Sequence, residues 1–180
     1  MIKKVWKQWW AWDFDKEEAW YNEMAAKGYN LSYIRPFQYY FQTGTPGEYI
    51  YRQELLDHSP AHPESESYIQ FMEETGAELV CTYQRWVVFR RKAEDGAFDL
   101  FSDLDSRMKQ LKRVNMLLLS LAVMEFAIGL NNVWLSFAAD SPFNLGCGLI
   151  CLLMGVCLLC GSRRVWKMNR KLSKERNIRE

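Results

Sequence analysis

The stretches Val114–Phe137, VNMLLLSLAVMEFAIGLNNVWLSF, and Phe143–Leu159, FNLGCGLICLLMGVCLL, decide the fold of this chain. A transmembrane helix needs about 20 predominantly apolar residues to cross a hydrocarbon core of about 30 Å. No Lys or Arg occurs between Val114 and Ser162, and the short segment Ser136–Pro142 separates the two stretches. The sequence therefore predicts a transmembrane helical hairpin over residues 114–162. The alternative, a buried helical pair, would need a larger soluble part to cover helices that are apolar on every side.

Basic residues flank this hairpin on one side only. Lys109, Lys112 and Arg113 precede the first span, whereas the connecting turn has no Lys or Arg. Because cytoplasmic loops are enriched in these residues, we expect a two-pass cell-membrane protein with both termini in the cytoplasm. The tail, residues 163–180, holds 8 basic and 2 acidic residues. Its charge either only sets the topology or also contacts anionic lipid at about 1 kcal/mol per basic residue. The candidate lipid contacts are Arg163, Arg164, Lys167, Arg170 and Lys171.

Small and polar residues recur every three or four positions along both spans, which places them on one face of each helix. Small residues let helices approach closely in lipid, so we predict a packing seam between the spans. Glu125 is the carboxylate in this seam, and a cationic partner for it would have to come from another chain. Hydrogen bonding within the hairpin or self-association is favoured over a proton or ion pathway. The predicted seam comprises Ala122, Glu125, Gly129, Asn132, Gly148, Cys151 and Gly155.

The soluble part, residues 1–97, alternates predicted strands and helices. Strands are predicted over Val5–Phe14, Leu31–Gln42, Glu48–Leu56 and Glu78–Arg90, with helices over Asp15–Lys27 and Glu64–Thr75. This β-α-β-β-α-β order predicts an α+β domain with a ferredoxin-like fold. A juxtamembrane helix is predicted over residues 98–113, opened by the capping chemistry of Ser102–Asp105 and continuous with the first span.

Aromatic residues make up 15% of the chain and fall on both sides of several predicted strands. An exposed aromatic sheet face favours an interaction surface. The alternatives are coverage by Phe98–Leu104 or by the membrane surface. The candidate residues of this face are Trp6, Trp10, Trp12 and Tyr39.

Catalytic and cofactor sites are not indicated. The sequence has no Gly-rich phosphate loop, nucleophile elbow or Cys-His pairing, so neither an enzyme nor a cofactor is expected. Acidic pairs such as Glu17-Glu18 are expected on solvated helix faces. His58 and His62, with Asp57 and Glu64, have metal-ligand chemistry, but Pro60 and Pro63 interrupt the helix that would align them. A solvated loop is the favoured interpretation, and the intramembrane cysteines are interpreted as small packing residues, so no metal is expected.

Nucleic acid is excluded as a partner by charge. Residues 1–113 hold 15 basic and 18 acidic residues, a net charge of −3, whereas nucleic-acid-binding domains need a positive surface.

Several motifs together resemble one family. They cover about residues 5–113 and are FDKEEAW (Phe14–Trp20), NEMAAKG (Asn22–Gly28), PGEYIYR (Pro46–Arg52), ETGAE (Glu74–Glu78), Trp86 with FRRK (Phe89–Lys92), GAF (Gly96–Phe98) and DLDS (Asp103–Ser106). With these motifs the chain resembles the DUF2812 family. The resemblance implies a bacterial, mostly Gram-positive, membrane protein, often encoded beside PadR-like transcriptional regulators. It implies no catalytic residues.

Two functions remain compatible with these patterns. The first is a membrane-anchored cytoplasmic sensing or protein-interaction module, regulatory and without catalysis, whose hairpin contacts lipid and associates with itself or a protein partner. The second is an accessory subunit of a membrane transporter, bound through the hairpin.

Overall fold

The computed structural model describes residues 2–100 and 104–179, with side chains for 2–100 and 105–174. The chain divides into two compact units, Met1–Ser102 and Asp103–Glu180. The first unit is α+β with two small sheets, and the second is a hairpin of two long helices.

The first unit contains strands and helices in a repeating order. Its elements are β1 (Ile2–Trp6), α1 (Phe14–Ala26), β2 (Tyr29–Arg35), β3 (Gln38–Thr43), β4 (Tyr49–Leu55), α2 (Pro63–Glu74), β5 (Glu78–Tyr83) and β6 (Trp86–Lys92), followed by a 3₁₀ turn over Ala93–Asp95.

The order strand-helix-strand-strand thus occurs twice, and the two copies share one sheet topology. Sheet A has the order β1-β3-β2 and sheet B the order β4-β6-β5, with every neighbouring pair antiparallel. A bulge interrupts β2 between Leu31 and Tyr33, and another interrupts β5 between Leu79 and Cys81. The residues that precede the two bulges, Leu31 and Leu79, are 48 positions apart in the sequence. The glycines that follow the two helices, Gly28 and Gly76, are separated by the same number of positions. The first unit therefore consists of two structural repeats, β1–β3 with α1 and β4–β6 with α2.

The ferredoxin-like topology is not confirmed, because two predicted strands are hairpins. The predicted strand Leu31–Gln42 turns at Pro36 and Phe37, where Phe37 has a φ of 62°. The predicted strand Glu78–Arg90 turns after Tyr83, where Gln84 has a φ of 55°. Two-residue hairpin turns usually contain Gly, Asn or Asp at positions with positive φ, and neither turn has one.

The first predicted strand, Val5–Phe14, is also wrong beyond Trp6. The chain leaves sheet A at Lys7 and turns at Trp10–Asp13, where Asp13 N donates to Trp10 O at 2.8 Å. The helix α1 then begins at Phe14. In this segment Trp9 packs against Trp20 of α1, whereas Trp10 and Trp12 stack on each other.

Two cores hold the first unit together. In the larger, Trp20 and Tyr21 of α1 pack with Phe41 of sheet A and with Tyr51 and Val88 of sheet B, so that α1 joins both repeats. The smaller core lies under α2 and contains Met72, Val87, Phe89 and Phe98. Phe98 therefore packs under α2.

The second unit is an antiparallel pair, α3 (Leu104–Ala138) and α4 (Pro142–Arg179), and each helix is long and apolar enough to cross a membrane. The two predicted spans lie inside these helices. The helix α3 runs unbroken through Arg113 into the apolar stretch, as expected, but it begins at Leu104. Residues 98–100 of the predicted juxtamembrane helix are not helical, and Ser102 and Asp103 of the predicted cap lie outside the described residues. The turn closes through Ser141 N, which donates to Ser136 O at 3.0 Å.

Candidate ligand-binding cavity

A cavity of about 210 Å³ lies in the first unit where three segments meet. The segments are the chain between β1 and α1, the tip of the β2–β3 hairpin and the tip of the β5–β6 hairpin. Both structural repeats therefore contribute to it. This volume is below the range of about 300–1,000 Å³ that is typical of pockets for drug-sized ligands, so it suits a small organic molecule.

The walls of the cavity are largely aromatic. Sites of this kind, apolar with a few convergent polar groups, are typical of small-molecule binding. The rings that line it include Trp9, Trp10, Phe14, Phe37, Tyr39 and Trp86.

Its polar centre is the carboxylate of Glu17 on α1. Glu17 Oε1 accepts a hydrogen bond from Tyr21 Oη at 2.6 Å and another from Tyr39 Oη at 2.5 Å. Tyr21 lies four residues along the same helix and therefore on the same face. Tyr39 comes from β3, where it pairs with Val5 and points to the inner side of sheet A.

The two tyrosines are fixed donors. Their exposed fractions are 0% for Tyr21 and 5% for Tyr39. Burial first, and then the neighbouring Glu17, raise the pKa of both hydroxyls well above the ordinary value of 10.0. Because the hydroxyls stay protonated at neutral pH, they hold the carboxylate in one orientation.

Trp9 carries the second polar feature of the wall. Its indole Nε1 is buried and has no hydrogen-bond partner among the residues that the structure describes. Lys7 Nζ lies 4.3 Å from the centroid of the Trp9 ring and 4.4 Å from that of Trp20. Burial lowers the pKa of Lys7 from its ordinary value. The ammonium group of Lys7 thus forms cation–π contacts with Trp9 and Trp20.

The four residues predicted to share a sheet face do not lie on one surface. Trp6 is 65% exposed on the outer side of sheet A, and Tyr39 is buried on the inner side. Trp10 and Trp12 lie beyond the end of β1 and stack on each other at 5.1 Å. Only Trp10 and Tyr39 of the four line the cavity. The common face was predicted from a strand that ends at Trp6.

The outer side of sheet A does carry exposed aromatic rings. Tyr33 and Tyr40 stack at 4.1 Å, and the guanidinium of Arg35 lies 5.6 and 5.8 Å from their ring centroids. Lys4 Nζ lies 4.6 Å from the centroid of the Trp6 ring. The outer face of sheet A therefore carries several cation–π contacts.

The small seam residues lie between α3 and α4. Ala122, Gly129, Gly148 and Gly155 are buried. A Cβ built on Gly148 would lie 2.9 Å from Gly129 O, so the two backbones touch there.

The polar seam residues have partners within the hairpin. Glu125 is half-buried and lies close to the Cys151 thiol of α4. Asn132 Nδ2 donates to Ile128 O of its own helix at 2.9 Å. A further pair, Ser162 Oγ donating to Asn115 Oδ1 at 2.7 Å, was not predicted.

The five predicted lipid-contact residues all lie on α4 beyond its apolar part. Arg163, Lys167, Arg170 and Lys171 are exposed, and Arg164 is half-buried. The guanidinium of Arg170 lies 5.2 Å from the ring centroid of Trp166.

The two histidines are closer together than a solvated loop would place them. His58 and His62 stack at 4.1 Å, and together with Glu64 they offer ligand atoms within 4.8 Å of one another. His62 caps α2 by accepting from Glu64 N at 3.3 Å through Nδ1. The group is largely exposed, and the capping bond already uses one of its nitrogens.

Sequence reasoning missed the centre of the cavity. Glu17 and Glu18 were expected on a solvated face, but Glu17 accepts from two tyrosines and Glu18 Oε2 accepts from Gln53 N at 2.8 Å. The sequence signal that could have identified this pair is that Glu17 lies four residues before Tyr21, on the same face of α1.

Comparison with known proteins places the chain in one family. No curated protein and no solved structure matches it significantly. The profile of DUF2812, described as "Protein of unknown function (DUF2812)", matches residues 13–123, which is more than half of the 180 residues. The matched range includes α1, the β2–β3 and β5–β6 hairpins, and the cavity-lining residues from Phe14 onward. The chain therefore belongs to the DUF2812 family.

Proposed function

We propose that this protein is a membrane-anchored sensing module that binds a small organic ligand in the cavity of its first unit. The observation that carries the proposal is the cavity itself, with aromatic walls from both repeats and one oriented carboxylate. Binding would bias contacts with a protein partner, so that the role is regulatory.

The chemistry of the site favours binding over catalysis. Glu17 is held by two hydroxyl donors, and those hydroxyls have a raised pKa, which makes them poor bases and poor nucleophiles at neutral pH. Cys81 is equally unreactive, because burial raises the pKa of its thiol to about 12.

The second unit supports a membrane location. Large apolar side chains such as Val123, Leu130, Ile150 and Leu153 are exposed on the outside of the hairpin, where lipid would cover them. Trp134 and Trp166 are exposed near the two ends of the apolar region, positions typical of membrane interfaces. With the basic residues that follow, this supports a two-pass protein in the cell membrane with both termini in the cytoplasm.

Blocking the cavity tests the proposal. Ala11 lines the cavity and is exposed, so Ala11→Trp fills it without entering the core. Ala61 is an exposed loop residue outside the cavity, so Ala61→Trp is the matched control. In ligand-observed NMR with a set of cationic, neutral and anionic fragments, the full chain and the control should share binders that Ala11→Trp loses. Binders that survive in Ala11→Trp would refute a ligand site in this cavity.

A second proposal is an accessory subunit of a membrane transporter, bound through the hairpin. It is supported by Asn131, a polar residue that is exposed on the apolar part of α3. Such a residue in lipid would favour a helix of another chain that can hydrogen-bond to it. Asn131→Leu should then abolish co-purification of a membrane partner, while unchanged partners would reject the idea.

A further inference from the structure

We infer that the cavity ligand is an organic monocation whose charged nitrogen lies against Glu17 and whose apolar body lies on the aromatic walls. The inference rests on the proposed function, namely that the cavity binds a small ligand, and it adds the charge and chemical class of that ligand.

The first argument is the state of the Glu17 carboxylate. Both tyrosine hydroxyls donate to Oε1, and within the described part of the chain no donor is found on Oε2. No Lys, Arg or His among the described residues forms an ion pair with Glu17. A partly desolvated carboxylate is stabilised by a cation. Lys7 and Arg35 also line the cavity, but neither lies within ion-pair distance of Glu17. A bound cation would complete the site.

The aromatic side chains that line the cavity also favour a cation. A cation within about 6 Å of a tryptophan, tyrosine or phenylalanine centroid is attracted by the face of the ring. The rings that line the cavity include those of Trp10, Phe37 and Trp86, and they lie beside one carboxylate. Quaternary and tertiary ammonium groups are recognised by this combination of aromatic rings.

An anionic ligand is disfavoured by the positions of the two basic residues that line the cavity, Lys7 and Arg35. Lys7 Nζ lies over the rings of Trp9 and Trp20, and the Arg35 guanidinium lies beside those of Tyr33 and Tyr40. An anion would have to draw both groups off these rings while meeting the fixed charge of Glu17.

The charge and polarity of the ligand follow from the remaining lining groups. Among the described residues that line the cavity, Glu17 is the acidic one, and the two basic ones lie on aromatic rings and not in an ion pair with it. Its carboxylate is therefore left for one positive charge on the ligand. The indole N–H of Trp9 is fully buried within the wall, so it offers no hydrogen bond to the ligand. The volume of about 210 Å³ suits a small ammonium compound.

The test compares a cation with its uncharged twin. Benzyltrimethylammonium and neopentylbenzene have the same shape and differ in one atom, nitrogen or carbon. Both are titrated by calorimetry into the full chain in nonionic detergent, with empty micelles as the reference. 4-tert-Butylbenzoate serves as the anionic probe.

We expect the cation to bind at least about tenfold more tightly than the neutral twin and the anion, the size of one interaction with a charged group. Glu17→Gln keeps an oxygen acceptor for both tyrosines and removes the charge, so it should erase that preference. Circular dichroism reports whether this variant folds, and the comparison in the unchanged protein stands without it.

The outcomes separate the two levels of the proposal. Equal or tighter binding of neopentylbenzene or the benzoate, blocked by Ala11→Trp, would overturn the cation assignment and leave the cavity as a ligand site. Binding of all probes that Ala11→Trp does not change would contradict the site itself. A cation preference that persists in folded Glu17→Gln would also overturn the assignment.

Discussion

The side-chain amide of Asn22 forms with Tyr51 both hydrogen bonds that a neighbouring strand would form. Tyr51 N donates to Asn22 Oδ1 at 2.8 Å, and Asn22 Nδ2 donates to Tyr51 O at 3.0 Å. Tyr51 lies on β4, an edge strand of sheet B, and Asn22 lies on α1 of the other repeat. Edge strands leave backbone groups unpaired, and here a helix side chain satisfies them. This contact joins the two repeats around the cavity.

Asn22→Ala should destabilise the first unit by about 1–3 kcal/mol, because Tyr51 N loses its acceptor. Tyr51 O keeps a hydrogen bond from Arg52 Nη1 at 3.0 Å. Urea unfolding followed by tryptophan fluorescence measures the loss. Glu23 is exposed on the next position of α1, so Glu23→Ala should stay within about 0.5 kcal/mol of the unchanged protein. Equal effects of the two substitutions would show that the Asn22 bonds contribute nothing specific.

The glycines that follow the two helices should differ in their tolerance of a side chain. Gly28 and Gly76 both have positive φ, 79° and 89°, so alanine costs about 1–2 kcal/mol at either. A Cβ on Gly28 would also lie 3.0 Å from Gly44 O, whereas one on Gly76 meets nothing within 4 Å. Gly28→Ala should therefore lower the unfolding free energy by about 1 kcal/mol more than Gly76→Ala. Identical unfolding midpoints would contradict the close approach at Gly28.

The hairpin offers a similar pair. A Cβ on Gly148 would lie 2.9 Å from Gly129 O and 3.0 Å from Val133 N, both backbone atoms that cannot move aside, whereas Gly146 has open space. Gly148→Val should destabilise the hairpin by about 1–3 kcal/mol, and Gly146→Val should not. Thermal unfolding in detergent, followed by helical circular dichroism, distinguishes them. A hairpin that tolerates valine equally at both positions would not be packed along this seam.

Alkaline pH should weaken the first unit. Burial raises the pKa of Cys81 from 9.0 to about 12 and that of Tyr39 above 10.0, so the unfolded chain releases these protons first. The stability that the protonated Cys81 thiol contributes is therefore fully present below pH 9.0, and it is lost as the pH rises above that value. The melting temperature, measured across this range, should drop less in Cys81→Ala than in the unchanged protein. A melting temperature that rises with pH would contradict the assigned direction.

The parts of the fold that sequence predicted are those set by local chemistry. α1 and α2 were placed within one residue at each end, because acidic residues open them and Gly28 and Gly76 follow them. The two apolar stretches likewise fell within α3 and α4.

The hairpins and the repeat could not be predicted in the same way. Alternation continues across a two-residue turn, and residues such as Phe37 and Gln84 adopt positive φ only because the surrounding structure holds them there. The repeat shares few identical residues, among them Gly28 and Gly76, so it emerges from the topology.

The cavity depends on contacts that are distant in sequence. Glu17 and Tyr39 are 22 positions apart, and Trp86 joins them from the other repeat. Alternation in the sequence suggested that aromatic residues around Trp10 share a surface, but only the fold shows which of them enclose a carboxylate.

The central claim, that this cavity binds an organic cation, is tested most directly by a structure of the full chain with benzyltrimethylammonium bound. We expect the ammonium nitrogen to lie within about 6 Å of the centroids of the lining aromatic rings, on the side of Glu17 Oε2. Density for the compound on the outer side of sheet A or on the hairpin, with the cavity empty at saturation, would contradict it.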